Sequence, residues 1–155
     1  VQVSGPQGER QIPFEQFHRL PGESPELDNT LQRDEIITAI DLPAEGFADH
    51  HQYLKVRDRH SYAFALVSVA VGLKVDGDRI TEARLALGGV AHKPWRDREA
   101  EAMLAGAQAD QKTFAEVARF LVRGARGYES NSFKVELAQR AVVRALEQAL
   151  GRERR

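Results

Sequence analysis

Apolar and other residues alternate through the middle of the chain, a pattern typical of β-strands that bury one face. In residues 52–59, Leu54 and Val56 share one side and the residues between them share the other. In residues 62–75, one side carries five apolar residues, namely Val67, Val69, Val71, Leu73 and Val75. Their mostly branched side chains favour a strand over a helix. We therefore predict one strand over each of these two ranges.

Turn-forming residues place further strands on either side of this pair. Gly77 tolerates the positive φ of a hairpin turn, so residues 79–87 are predicted to return antiparallel. Residues 35–42 are predicted as an earlier strand that Pro43 stops. Residues 1–33 are rich in proline, glycine and acidic side chains, and an irregular lead-in is predicted for most of them.

The apolar period becomes helical in the last third of the chain, which predicts three helices. They cover residues 97–105, 113–126 and 132–150. The second is predicted to open with a capping box of Thr113 and Glu116. The third is predicted to be capped by Asn131 or Ser132 and to bury Phe133. Strands followed by helices predict an α+β fold, with an antiparallel three- to four-stranded sheet packed against three C-terminal helices.

The pattern of the first residues predicts that further residues precede them in the complete protein. Residue 1 is not methionine, and residues 1–3 read as the second half of a strand before turn-forming residues 5–8. We expect a C-terminal piece of a larger protein. Residues 1–43 would end one domain and serve as a linker, and residues 44–155 would form the next domain.

Composition narrows the classes of function. The chain has 155 residues and a formal net charge of −1, without the basic excess of a dedicated nucleic-acid binder. It has no cysteine, which excludes disulfides, thiolate metal sites and iron–sulfur clusters within it. No apolar run reaches the length of a membrane span, and no signal-peptide pattern opens the chain. We predict a cytoplasmic location, with export to the periplasm together with a partner as the alternative.

Residues suited to catalysis or metal binding do not form recognisable sets. Neither His60 nor His92 has a carboxylate or a second histidine at metal-ligand spacing, and the adjacent His50 and His51 would point in opposite directions on a strand. No serine lies in a nucleophile elbow. No Gly-x-Gly-x-x-Gly fingerprint opens a helix. We predict no catalytic residue and no metal site in the chain.

A ladder of basic residues is the candidate binding site. If the strand over residues 52–59 is regular, Lys55, Arg57 and Arg59 project from one face at intervals of roughly 7 Å. On composition alone, a solvated face paired with acids such as Asp58 or Glu82 is the favoured interpretation. A flavin's pyrimidine edge would also suit these cations, because a positive charge stabilises the electron-rich reduced ring. Nucleic acid would suit them too, with Tyr53 as a stacking surface.

Two segments also carry a family resemblance. The first reads Tyr-Leu-Lys-Val-Arg-Asp-Arg-His-Ser-Tyr-Ala-Phe-Ala from residue 53, and the second reads Leu-Gly-Gly-Val-Ala-His-Lys-Pro-Trp-Arg from residue 87. Together they resemble the C-terminal domain of the FAD-binding (medium) subunit of molybdenum hydroxylases, the xanthine dehydrogenase, aldehyde oxidoreductase and CO dehydrogenase flavoprotein family. The resemblance implies a CO dehydrogenase flavoprotein C-terminal domain-like fold over residues 44–155. It also implies that residues 1–43 are the trailing segment of the FAD-binding domain.

For the candidate site, the resemblance implies a flavin-edge role for Lys55. Arg57 and Arg59 would support Lys55 or fix the interface between domains. Many family members carry an aspartate where this chain has Ala63. The sequence Ser-Tyr-Ala-Phe-Ala around that position is similar to bacterial aldehyde oxidoreductase flavin subunits.

For function, the resemblance implies an oxidoreductase in which this domain covers FAD. Electrons would pass from iron–sulfur clusters through the flavin to an acceptor. FAD would be bound mostly by residues that precede this chain. The molybdenum cofactor and the iron–sulfur clusters would lie on partner subunits or regions, so the 155 residues alone would be inactive. The alternative from another class is a non-enzymatic α+β module whose basic strand face binds RNA or an acidic partner.

Overall fold

The computed structural model of the protein describes residues 1–44 and 46–151. The chain forms two compact units. The first comprises Val1–Gly46 and Ala91–Lys93, and the second comprises Phe47–Val90 and Pro94–Arg155.

The first unit is built on a three-stranded antiparallel sheet. Its elements are strand β1 (Gln2–Gly5), strand β2 (Gly8–Gln11), helix α1 (Phe14–Phe17) and strand β3 (Ile36–Ala39). The strand order is β2-β1-β3. Residues 1–3 and 5–8 were expected to form a strand end and a turn, and this local prediction is confirmed. The remainder of the predicted lead-in is more ordered than expected, because β1 also pairs with β3 more than thirty residues later.

A small apolar cluster and one ion pair hold this unit together. Val1, Val3, Ile12 and Phe17 are buried against one another, with Leu31 packed beside them. On the sheet surface, the Arg10 guanidinium donates two hydrogen bonds to the Glu35 carboxylate, at 2.6 and 2.8 Å.

The second unit contains a four-stranded antiparallel sheet. Its strands are β4 (His51–Val56), β5 (Val67–Asp76), β6 (Arg79–Gly88) and β7 (Trp95–Arg96), in the order β4-β5-β6-β7. The β5–β6 hairpin turns at Gly77, whose φ of 60° suits glycine.

Three helices and a short 3₁₀ turn follow the sheet in this unit. They are α2 (Arg98–Leu104), α3 (Gln111–Leu121), the 3₁₀ turn (Glu129–Asn131) and α4 (Phe133–Ala149). Their apolar faces share one core with the alternate residues of β5 and β6, including Val67, Val69, Leu85, Phe114, Leu121 and Leu146. The predicted α+β fold with a four-stranded sheet and three C-terminal helices is therefore confirmed.

The lengths of the central strands differ from the prediction. Strand β4 ends at Val56 and β5 begins only at Val67, so residues 57–66 form a loop. The Leu66 amide donates to the Val56 carbonyl at 2.8 Å and closes the base of the loop. Tyr62 has a φ of 54°, a left-handed conformation that a strand does not contain. The predicted strand ends over 57–59 and 62–66 are wrong for this reason.

The ends of the helices also correct the prediction. Helix α3 is capped by Asp110, whose carboxylate accepts from the Thr113 amide at 2.8 Å, so Thr113 lies inside the helix. The same helix ends at Leu121, before the predicted stop at Gly127. Phe133, predicted to be buried, is 53% exposed at the start of α4.

Candidate functional site

The face of the second sheet opposite the helices carries Lys55. Leu54 and Val56 pack against the core, so the side chains between them project to the other side. Tyr53 and Lys55 are accordingly exposed on that face. The predicted orientation of Lys55, away from the helices, is confirmed.

Small residues occupy the neighbouring positions on this face. Lys55 lies opposite Ser68, which in turn lies opposite Gly88. The next row inward runs from Tyr53 to Ala70 on β5 and then to Ala86 on β6. We call the surface formed by Lys55 and these small residues the Lys55 face.

On the Lys55 face, strands β5 and β6 are in close contact at Gly88. A Cβ atom on Gly88 would come within 2.5 Å of the Ser68 hydroxyl oxygen. Ser68 itself is only 7% exposed, so neighbouring atoms already cover its side chain. Small side chains leave a shallow floor that a flat group can approach.

The basic ladder is not continuous. Arg57 and Arg59 were predicted to extend the row begun by Lys55, but both lie in loop 57–66 beyond the end of β4. Arg59 instead donates a hydrogen bond to the Tyr62 carbonyl within that loop. In the sequence, the alternation of basic residues continues past Val56, the last residue of β4 that pairs with β5. Arg57 and Arg59 therefore do not continue from Lys55 at the regular strand spacing of roughly 7 Å.

Loop 57–66 presents two aromatic side chains that sequence reasoning left unassigned. Tyr62 is 96% exposed and Phe64 is 98% exposed. Large aromatic side chains that are almost fully exposed mark surfaces that contact a ligand or another protein. The available signal is the pair of aromatics inside the resembling segment, where the apolar pattern predicts a strand over residues 62–75.

The base of this loop packs against the paired glycines at the end of β6. Gly89 has a φ of 75°, and a Cβ atom there would lie 2.9 Å from the Ala65 carbonyl oxygen and 3.1 Å from that of Leu66. Lys134, in the first turn of α4, donates to the Gly89 carbonyl at 2.8 Å. The glycine pair thus permits a close backbone approach between the end of β6 and the base of the loop.

Acidic residues do not neutralise the Lys55 face. Glu82, one of the two acids named for the basic ladder, binds Lys74 and Arg84 instead, each at 2.6 Å, and Asp58 forms no ion pair among the described residues. Its hydrogen bond from Lys74 lowers the pKa of the Glu82 carboxyl. Across residues 1–44 and 46–151, Lys55 has no ion-pair partner. The Lys55 ammonium therefore presents a positive charge that no acid pairs with directly in the described part of the chain.

The described part of the chain offers no alternative site of metal or membrane chemistry. No three histidine or acidic side chains in it come together as metal ligands. None of its helices combines the length and the apolarity that a bilayer crossing requires. The arrangement at the Lys55 face can donate hydrogen bonds and positive charge to one edge of a flat acceptor, with exposed aromatic side chains nearby in sequence.

Comparison with known proteins shows which family the chain belongs to. Residues 52–149 match the CO dehydrogenase flavoprotein C-terminal domain family. The chain belongs to this family. The match includes β4, the Lys55 face and all three helices of the second unit. The resemblance noted in the sequence is thereby confirmed.

Two curated relatives are similar to this chain over part of their own length. The aldehyde oxidoreductase FAD-binding subunit PaoB of Escherichia coli is 42% identical over 151 residues, which span 96% of this chain and 44% of the relative. The glyceraldehyde dehydrogenase medium chain of Sulfolobus acidocaldarius is 29% identical over 117 residues, 75% of this chain and 39% of the relative. The chain thus spans less than half the length of either relative.

Solved structures share the fold. Quinoline 2-oxidoreductase from Pseudomonas putida 86 superposes with a TM-score of 0.79 and 25% identity, covering 97% of this chain and 52% of the other. A carbon monoxide dehydrogenase chain from Hydrogenophaga pseudoflava superposes with a TM-score of 0.84 and 24% identity over the same shares. At this level of identity, the second comparison speaks for the fold alone.

Proposed function

We propose that this chain is the C-terminal part of the FAD-binding subunit of a molybdenum-containing hydroxylase, and that the Lys55 face covers the flavin ring. The observation that carries the proposal is an exposed, unpaired lysine on a shallow sheet face of a CO dehydrogenase flavoprotein C-terminal domain. Family membership supports this function over the RNA-binding alternative.

The residues of the second unit fit one edge of a flavin. The small side chains of Ala70 and Ala86 leave room for a flat ring, and Lys55 supplies a donor at the margin of that floor. Neither unit carries a glycine fingerprint for the pyrophosphate of a dinucleotide. The fit therefore extends to the ring edge, and other residues of the complete protein would hold the rest of FAD.

Bound FAD would supply the acceptance and release of electrons. Lys55 would donate a hydrogen bond and stabilise negative charge that develops at the pyrimidine edge. The exposed aromatics Tyr62 and Phe64 would exclude water from the ring. Arg59 would hold the backbone of the loop through its bond to the Tyr62 carbonyl. Arg57 would contribute charge to the same margin or to the interface with the FAD-binding domain.

The first unit would be the trailing segment of the FAD-binding domain, with residues 1–43 in that role and residues 44–155 forming the C-terminal domain. Exposed apolar residues support this assignment, since Ile36, Ile40 and Leu42 are 71%, 59% and 84% exposed. Such side chains are expected to be covered by further parts of the same domain.

The partners would be the subunits that carry the molybdenum cofactor and the iron–sulfur clusters. The relatives support this because one is described as an FAD-binding subunit of an aldehyde oxidoreductase and the other as a medium chain. We propose a cytoplasmic location, with export to the periplasm together with a partner subunit as the alternative.

A spectroscopic comparison tests the role of Lys55. In the complete protein, Lys55→Met is expected to retain FAD and to change the flavin absorption spectrum, because a charge near the ring is removed. Lys112→Met is the matched control, since Lys112 is an exposed lysine on α3. An unaltered spectrum in the Lys55 variant would contradict the proposal.

The 155 residues alone can be used to test whether most of the FAD site lies outside them. Equilibrium dialysis against FAD is expected to show weak binding or none, and no turnover. A tight, stoichiometric flavin in this chain would show that the pyrophosphate site had been assigned to the wrong residues.

A further inference from the structure

A pocket in the second unit lies between the end of β6, the end of α3 and the start of α4. Its volume is about 170 Å³, below the roughly 300–1,000 Å³ of sites for drug-sized ligands. Its floor is apolar and is formed mainly by Leu87, Trp95, Val122, Val135 and Ala138. We call it the Trp95 pocket.

The indole of Trp95 offers this pocket an apolar surface. Its N–H already donates to the Leu121 carbonyl at 3.1 Å, so the ring has no further hydrogen bond to give. The surrounding floor residues are aliphatic. An occupant would therefore need an apolar body to replace water favourably at the floor.

The rim of the pocket consists of hydrogen-bond donors. Arg126 has no ion pair within the residues that the structure describes. The side-chain oxygen of Asn131 accepts from the Tyr128 amide, which leaves its NH₂ group available. Lys134 uses one proton on the Gly89 carbonyl and has two more. No aspartate or glutamate lines the pocket.

The start of α4 adds to this positive character. Ser132 occupies the N-cap position of a 17-residue helix, and its hydroxyl makes no capping hydrogen bond. The amino end of a helix favours an anion, and Asn131 and Lys134, which line the pocket, flank this end. The complementary polar group is therefore a small anion that accepts several hydrogen bonds.

We propose that the Trp95 pocket binds a small monocarboxylate with an apolar body about the size of a phenyl ring. The apolar body lies on Trp95 and its aliphatic neighbours. The carboxylate accepts from Arg126, Asn131 and Lys134. This site is separate from the Lys55 face and does not depend on the flavin assignment.

Calorimetric titration of the complete protein with benzoate tests the proposal. Benzoate is expected to bind, whereas benzyl alcohol, which lacks the charge, and acetate, which lacks the apolar body, are expected to bind at least about tenfold more weakly. Arg126→Gln should weaken benzoate binding about tenfold, since a charge-assisted hydrogen bond is lost. Arg119→Gln, on the exposed side of α3, is the matched control and should leave it unchanged.

A second variant blocks the pocket without removing a charge. Ala125 is exposed at its edge, so Ala125→Trp is expected to fill the opening with little effect on folding and to abolish benzoate binding. The proposal is overturned by benzoate binding that persists in Ala125→Trp, by equal binding of benzoate and benzyl alcohol, or by the absence of benzoate binding to the unaltered protein.

Discussion

Replacing Glu101 by leucine is expected to destabilise the second unit by about 3 kcal/mol, because Glu101 joins two elements from a buried position. Its side chain is 6% exposed. One carboxylate oxygen accepts from the Leu85 amide on β6 at 2.9 Å. Both oxygens accept from the Arg96 guanidinium on β7, at 2.7 and 2.9 Å. Glu101 thereby links α2 to strands β6 and β7.

The magnitude follows from the two interactions of Glu101 that are lost. A buried amide without an acceptor costs about 1–3 kcal/mol, and breaking a buried ion pair costs about 3–5 kcal/mol. The Arg96 side chain is 32% exposed and can regain water, so the lower end applies. Glu101→Gln keeps one acceptor oxygen for the Leu85 amide but loses the charge and replaces the other acceptor with an NH₂ donor, so we expect a loss of about 1–2 kcal/mol, smaller than for Glu101→Leu.

Urea denaturation followed by circular dichroism measures these differences. Glu99→Gln serves as the control, because the Glu99 carboxylate pairs with Arg123 while 75% exposed. Its loss is expected to be below about 0.5 kcal/mol. The reasoning is refuted if Glu101→Leu costs no more than the control, or if Glu101→Gln costs as much as Glu101→Leu.

Three further predictions concern other parts of the chain. The hydrogen bond from Arg10 lowers the pKa of Glu35 from 4.5 to about 2. The stabilising effect of this bond should be present above pH 4.5 and be lost as the pH falls towards 2. The unfolding midpoint of Glu35→Gln should therefore depend less on pH in that interval than the midpoint of the unaltered protein does. Asp110→Ala should cost about 1 kcal/mol in urea denaturation by removing the cap of α3, whereas Asp110→Asn should be nearly neutral. Gly89→Ala should destabilise more than Gly77→Ala, because both glycines have positive φ and only Gly89 faces nearby carbonyls; equal midpoints for the two variants would contradict the close approach at Gly89.

The orientation of Lys55 could be predicted from sequence because it follows from a local period. Leu54 and Val56 alternate with their neighbours, and a period of two requires opposite faces. The fates of Arg57 and Arg59 could not be predicted in the same way. A polar alternation looks identical whether or not the strand continues, and the left-handed Tyr62 that forces the loop carries no sequence signature.

The cap of α3 and the contacts between distant segments could not be predicted from the sequence either. Asp110 and Thr113 are both good cap residues three positions apart, so local preference could not decide which one begins α3. The pairing of β1 with β3 and the assembly of the Trp95 pocket join segments that lie dozens of residues apart. Only the folded arrangement brings them together.

The reduction potential of the bound flavin tests the central role of Lys55 most directly. In the complete protein, Lys55→Met is expected to lower the midpoint potential by at least about 30 mV, which corresponds to about 1.4 kcal/mol for a two-electron couple, because the reduced ring loses a stabilising cation. Lys112→Met should leave the potential unchanged. A potential in the Lys55 variant equal to that of the unaltered protein would contradict the assignment of this sheet face to the flavin.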